Sequence, residues 1–263
     1  MWVKVYQLHI RYGTVKIPLD HPRYDSLMTR ERLVEMVEEG LVTPTGLISH
    51  GRGEAYDYLM GERSLDSAIL SEKVAIAYLL NATNPVVCIN GNAAALDPEG
   101  LISLAERVNA RIEVNIFHRS EERMEGLISF LESKGARNVL GRNPDARIPG
   151  LSSDRALCTM EGIYKSDAIL VPIEDGDRAE ALVRMGKIVI AIDLNPISRT
   201  SKMATVSISD EMSRALRNMM SFADELNGDA KERERLIEGY SNVENIGKTL
   251  DCICNNLKNE MGR

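Results

Sequence analysis

No stretch of this sequence approaches the ~20 consecutive apolar residues that a bilayer-crossing helix needs, which excludes a helical membrane span. Its opening segment carries Lys4 and Arg11 and has no apolar core of secretory type. Cysteine is scarce: Cys88, Cys158, Cys252 and Cys254 are too few among 263 residues for a disulfide framework. Cys252 and Cys254 stand one residue apart, with no second pair or histidine cluster to complete a zinc site. Both are expected as small buried residues on a helix. A basic stripe is missing as well, and a formal net charge of −7 gives nucleic acid nothing to grip. GxGxxG, GKT and GKS are absent, and the four histidines build no Ser/His/Asp or Cys/His triad. There is no internal repeat, low-complexity tract or inter-domain linker. What remains is a soluble protein of a reducing compartment, expected in the cytoplasm, with neither membrane nor nucleic acid as partner.

Present instead is an ordinary globular composition, 44% hydrophobic and 27% charged, long enough to bury roughly 70–75% of the unfolded chain's surface. Tyr24 to Gly40 reads as a helix, with Leu33, Met36, Val37 and Leu41 recurring at three and four. Gly46 to Glu54 reads as a glycine-rich connector, and Asp66 to Leu80 as a helix with a broad, mostly buried apolar face. From Asn84 short apolar runs alternate with amphipathic helices. The runs are Pro85–Ile89, Arg111–Phe117, Asn138–Leu140, Ala168–Ile173, Lys187–Leu194 and Thr205–Ile208. Helices are expected to start near Pro98, Ser120, Met160, Arg178 and Ser198. Strands apolar on both faces, joined by helices, predict an α/β fold with a parallel sheet covered on both sides. Glu211–Leu226 closes that part, with Met212, Met219 and Met220 as core filler. The tail from Lys231 to Met261 reads as helical, with Leu236, Ile237, Tyr240, Leu250, Ile253 and Leu257 as its buried stripe. The expected organisation is a helical region over 1–83, an α/β nucleotide-binding core over 84–226 and a helical tail over 227–263, packed as one compact unit.

Ligands of such sheets bind beyond the carboxyl ends of the strands, where helix N-termini offer free amides. Four candidate positions fall there: Asn90-Gly91-Asn92, His118-Arg119-Ser120, Glu174 to Arg178, and Asn195 to Thr200. Asn90-Gly91-Asn92 suits close approach of a phosphate, and equally a plain β-to-α turn. In Glu174-Asp175-Gly176-Asp177-Arg178 the carboxylates fit a Mg²⁺ site, and equally Asp177 capping a helix that starts at Arg178. Asp193, at the tip of a very apolar strand, fits a ribose or adenine contact and alternatively an Asx turn ahead of Pro196. Arg199 and Thr200 at a helix start suit phosphate. Upstream, Arg52 between Gly51 and Gly53 is free to fork onto a phosphate or carboxylate.

Together these segments resemble the archaeal phosphopantothenate synthetase family, the 4-phosphopantoate–β-alanine ligases of coenzyme A biosynthesis. The likeness is carried by His21-Pro22-Arg23-Tyr24 with Arg30-Glu31, by Gly46 to Leu59, Val87 to Asn92, Glu113 to Phe117, Glu174 to Leu182 and Ala191 to Arg199. It runs from about Ile17 to about Leu226, and several blocks in one order are far more specific than any one. The resemblance implies a homodimeric, Rossmann-like enzyme that joins 4-phosphopantoate to β-alanine with ATP and Mg²⁺, releasing AMP and pyrophosphate through an acyl-adenylate. It implies ATP contacts at Arg30, Arg52, Asp193, Leu194, Asn195, Arg199, Thr200, Glu211 and Met212. Glu211 stands where the family pattern has asparagine, and His118 where it has tyrosine. The first dozen residues have no counterpart in it and read as an extension or the product of an early start codon. Helix-terminus geometry adds Asn90, Gly91, Asn92 and Arg119 as candidates for the substrate's phosphate or carboxylate.

No covalent nucleophile is needed for such chemistry, so the missing triad is expected and positioning with electrostatics must do the catalysis. Two rivals are a nicotinamide-dependent dehydrogenase and a non-catalytic nucleotide-sensing dimer. The first lacks GxGxxG and has Tyr164 and Lys165 adjacent instead of one helical turn apart. The second would bind ATP without β-alanine-dependent turnover.

Overall fold

The computed structural model describes residues 17–21 and 23–262. The N-terminal readings at Lys4, His9 and Arg11, and Pro22 of the His21–Tyr24 block, lie outside the described residues. Three helices come first: α1 (Tyr24–Glu38), α2 (Pro44–Met60) and α3 (Asp66–Asn81). The alternating part follows with β1 (Pro85–Ile89), α4 (Gly91–Leu96), α5 (Pro98–Arg107), β2 (Arg111–Val114) and α6 (Glu121–Ser133). A two-residue hairpin, β3 (Ala146–Arg147) with β4 (Leu157–Cys158), precedes β5 (Ala168–Pro172) and α7 (Gly176–Arg184). Then come β6 (Ile188–Ile192), α8 (Arg199–Met203), β7 (Val206–Ile208) and α9 (Met212–Leu226), and finally α10 (Ala230–Glu238) and α11 (Asn242–Met261).

The main sheet is parallel throughout, in the order β2-β1-β5-β6-β7. Every residue of β1, β5 and β7 is buried, as both-face coverage requires. One core holds Val87, Ile89, Leu170 and Ile190 of the sheet together with Leu33 and Met36 of α1, Ile76 of α3 and Met219 of α9. A second core on the other face joins Val86, Ile169, Val171 and Val189 to Leu182 of α7. Among the described residues no helix is long and apolar enough to cross a membrane.

Four local expectations need correction. Gly46–Glu54 is not a connector but part of α2. Pro44 occupies the first turn, and a Cβ on Gly46 would lie 2.2 Å from Asn92 Oδ1, so that glycine serves close helix packing. Asn138–Leu140 is no strand: only Leu140 bridges, to Glu113, and β2 stops at Val114, short of Phe117. The helix near Met160 is a five-residue π turn, Met160–Tyr164, broken at Gly162. In the tail, Leu257 and Cys254 are exposed: Leu257 extends the inward stripe of Asn245, Thr249 and Ile253 past its last buried position, and Cys254 lies off that stripe.

The strand order reverses between β1 and β5. That crevice is the topological switch point, where the carboxyl ends of two neighbouring strands diverge and leave room for a ligand.

Candidate functional site

Asn90 spans the crevice. Its side-chain nitrogen donates to the carbonyls of Pro172 (2.9 Å) and Ile173 (3.0 Å), and its side-chain oxygen accepts from the Ala93 amide, capping α4. Ile173 turns the chain off β5 with φ at 52°, a left-handed backbone that costs a β-branched residue about 1–3 kcal/mol. A strained residue at a strand's carboxyl end marks a site where position outweighs stability.

Over this crevice lies a middle cavity of about 350 Å³, whose wall includes Asn90, Gly91, Asn92, Ser49, Arg123 and Arg155. Gly91 is required there, because a Cβ would sit 2.5 Å from the Leu41 carbonyl. The Asn92 side-chain amide donates to the Gly46 carbonyl (2.9 Å), which fixes the start of α2 against the start of α4. Arg123 donates to the carbonyls of Gly40 (3.2 Å), Leu41 (3.0 Å) and His118. Arg119, named with this group from sequence, points elsewhere: its guanidinium donates to the carbonyls of Gly141 (2.6 Å) and Arg142 (3.2 Å). Of these two, the arginine on the cavity is therefore Arg123, four residues further along.

A small inner cavity of about 60 Å³ lies beside it, over the ends of β6 and β7, and includes His50, Asp193, Leu194, Glu211 and Met212. Ser49 and Ile173 belong to both walls. Asp193 forms the Asx turn, accepting from the Asn195 amide (2.9 Å) and from the Ser198 hydroxyl (2.6 Å). Burial raises its carboxyl above the usual range against those two hydrogen bonds and the charge of Arg52. Asn195 accepts in turn from the Ile197 amide. Both Glu211 oxygens cap α9, at the amides of Ser213 (3.0 Å) and Arg214 (2.9 Å), so its side chain is already committed. Burial also lowers the His50 imidazole, which favours the neutral ring. Arg30 forks onto Glu54 (2.8 and 3.2 Å) and donates to the Tyr58 hydroxyl, tying α1 to α2. Arg52 is exposed on α2.

On the other side the middle cavity shares Phe117, Arg155 and Asp175 with an outer one of about 600 Å³. The three carboxylates once open to a metal are met by arginines here. Glu174, 1% exposed at its side chain, pairs with Arg155 (3.4 Å) and Arg178. Burial pushes its carboxyl up, but the two guanidinium charges prevail and hold it below the usual range. Asp175 lies 3.3 Å from Arg155 Nε, and Asp177 pairs with Arg199. Asp177 does not cap a helix at Arg178: α7 starts at Gly176, and the residue ahead of it is Asp175, whose side chain makes no cap bond. Arg199 thus faces the outer cavity, apart from Arg30 and Arg52, while the Thr200 hydroxyl donates to the Glu174 carbonyl (2.7 Å). Among the described residues no three His, Cys, Asp or Glu side chains gather as a metal site requires.

Arg155, unflagged in sequence, is 7% exposed and central to two walls; it donates to the Asn115 carbonyl (3.1 Å), and Asn115 returns its side-chain amide to the Leu157 carbonyl (2.8 Å).

Comparison with known proteins decides the family. A profile described as phosphopantothenate/pantothenate synthetase matches residues 67–256. The chain belongs to that family. A Methanosarcina mazei protein named 4-phosphopantoate–β-alanine ligase is 51% identical over 243 residues, covering 92% of this chain and 96% of its own. Relatives of the same name from Thermococcus onnurineus and Thermococcus kodakarensis are 47% and 44% identical, each covering 94–95% of both chains. These alignments include α1 and α2, which the profile match leaves out. The relatives named here are ligases by name, and in this chain the α/β sheet with its switch point is the scaffold of the three neighbouring cavities.

Proposed function

We propose that this protein condenses 4-phosphopantoate with β-alanine in an ATP-dependent, AMP-forming reaction of coenzyme A biosynthesis, in the cytoplasm. The observation that carries the reading is the shared wall of Ser49 and Ile173, which sets the inner and middle cavities side by side. A nucleotide held at Asp193, Leu194, Glu211 and Met212 then presents its α-phosphate to a carboxylate held at Asn90, Gly91 and Asn92. The carboxylate oxygen attacks the α-phosphorus, the bond to the β-phosphate oxygen breaks, and pyrophosphate leaves. The mixed anhydride that results is open to the amine, and AMP departs with the electron pair of the broken C–O bond.

Arg52, with Arg30 behind it, supplies positive charge to the phosphates, and Arg123 with the α4 start supplies it to the acyl substrate. Asp193, Asp210 and Glu211 are closed by Ser198 and Asn195, by Arg214 and Ser64, and by α9 respectively, so the residues present do not assemble a protein-built Mg²⁺ site. Mg²⁺ fits this reading as a companion of the ATP phosphates. At about 60 Å³ the inner cavity has room for about two waters, so a purine has to widen it. We also read the active form as a homodimer, with Ile48 and Tyr58 of α2, 67% and 45% exposed, as surface for it.

Product analysis tests the reading. Incubation with ATP, 4-phosphopantoate and β-alanine is expected to yield AMP and pyrophosphate, with no amide when any one component is omitted. ADP and phosphate would mean an acyl-phosphate route instead.

A further inference from the structure

We infer that the outer cavity is the β-alanine site, with Asp175 receiving the amine; this rests on the ligase reading above. The acyl carbon has to meet two partners in turn, the α-phosphate of ATP and then the amine. An acyl substrate in the middle cavity has a shared wall on each side: Ser49 and Ile173 toward the nucleotide, and Phe117, Arg155 and Asp175 toward the outer cavity. The amine therefore arrives from the outer side.

The walls suit a small zwitterion. Asp175 is 53% exposed at its side chain and is not consumed by its helix, since α7 begins without a side-chain cap. Its carboxylate exchanges the Arg155 Nε for the substrate's ammonium and takes one proton from it. The freed amine forms the C–N bond, the C–O bond to AMP breaks, and the second N–H proton passes to water. The substrate's own carboxylate has charge to meet it on the same wall. Arg155 and Arg178 are 7% and 1% exposed and both line the cavity; the Arg178 Nε has no hydrogen-bond acceptor, while the Arg155 Nε lies 3.3 Å from Asp175. Beside them lie the uncapped first amides of the nine-residue α7. A buried guanidinium short of an acceptor, beside uncapped amides and a second guanidinium whose Nε is released when Asp175 turns to the ammonium, specifies an anion. An ω-amino acid carries that anion and the cation for Asp175 in one molecule.

Pyrophosphate exchange into ATP, measured with 4-phosphopantoate and no β-alanine, reads activation alone. Asp175→Asn is expected to raise the KM for β-alanine at least tenfold while exchange stays within about twofold. Trapping of the activated acyl group by hydroxylamine, which has no carboxylate to bind, is expected to persist in the same variant. Ser153→Trp, which fills the outer cavity from its loop wall, should show the same division even if Asp175→Asn folds poorly. An unchanged β-alanine KM in both variants, or an equal fall in exchange and in β-alanine turnover, overturns the assignment. Absence of exchange in the unmodified protein would instead sink the adenylation reading, and this inference with it, before any variant is made.

Discussion

The Asn90 side-chain amide donates to the Ile173 carbonyl across the switch point, so one asparagine holds the ends of β1 and β5 at a fixed separation. Its two donations and one acceptance are all buried or nearly so, and no other side chain of similar length offers both functions. Asn90→Ala is expected to cost about 2–4 kcal/mol, because two carbonyls lose their partner inside the protein. Asn90→Asp retains the α4 cap yet loses both donations, and it places a negative charge in the cavity proposed for the acyl substrate. Urea titration should show the Ala variant destabilised with m unchanged, and the Asp variant should lose 4-phosphopantoate binding more steeply than stability.

Arg52 is exposed and its charge acts on Asp193 of the inner cavity. Arg52→Ala is expected to weaken ATP binding about tenfold, with thermal stability unchanged because no buried contact is lost. Titration calorimetry with ATP and a melting curve separate the two effects. An unchanged dissociation constant removes Arg52 from the nucleotide site.

Arg119 and Arg123 make opposite predictions despite lying four residues apart. Arg119→Ala removes contacts to the Gly141 loop and should lower the melting temperature without raising the KM for 4-phosphopantoate. Arg123→Ala removes a guanidinium on the wall of the middle cavity and three carbonyl contacts around it. Its expected signature is a KM for 4-phosphopantoate raised tenfold or more.

Glu72 of α3 is fully buried, and neither of its carboxylate oxygens has a hydrogen-bond partner. Burial first, then the negative charge of Asp210, pushes its carboxyl up to about 8, with Asn218 and Arg214 nearby opposing. An acid raised on folding binds more protons in the native state than in the unfolded one. Stability is therefore fully present below the ordinary carboxyl range and falls as pH rises from there to about 8. Glu72→Gln, which resembles the protonated form, should match the native protein near pH 4.5 and exceed it at pH 8.5 by up to a few kcal/mol. Denaturation midpoints at the two pH values check the crossover.

Much of this architecture was legible because buried parallel strands advertise themselves as short apolar runs, and β1, β5, β6 and β7 fall within such runs. Asn90, Gly91 and Asn92 announced themselves by following one of those strands directly. The α2 helix was hidden because two of its glycines, Gly46 and Gly53, carry meaning only against Asn92 and Leu194, residues distant in sequence. Arg155 gave no periodic signal, lying inside a three-residue 3₁₀ turn, Asp154–Ala156. For Glu174, Asp175 and Asp177 sequence counts the carboxylates but not the arginines folded onto them, and those contacts turn an apparent metal site into an ion-pair network. Arg119 lies ahead of α6 and Arg123 in its first turn, and the different directions these positions give the two side chains are not recorded in a residue list.

The packing of α2 has a mechanical consequence. Near its beginning Gly46 lies against Asn92 of the middle cavity, and further along Gly53 lies against Leu194 of the inner one, with carbon contacts near 3.5 Å for an added Cβ. The helix is thus a rocker resting on both pockets. A purine that prises open the inner one is expected to tilt the rod and move the other fulcrum, so that loading one pocket sharpens the fit of the second before their occupants react.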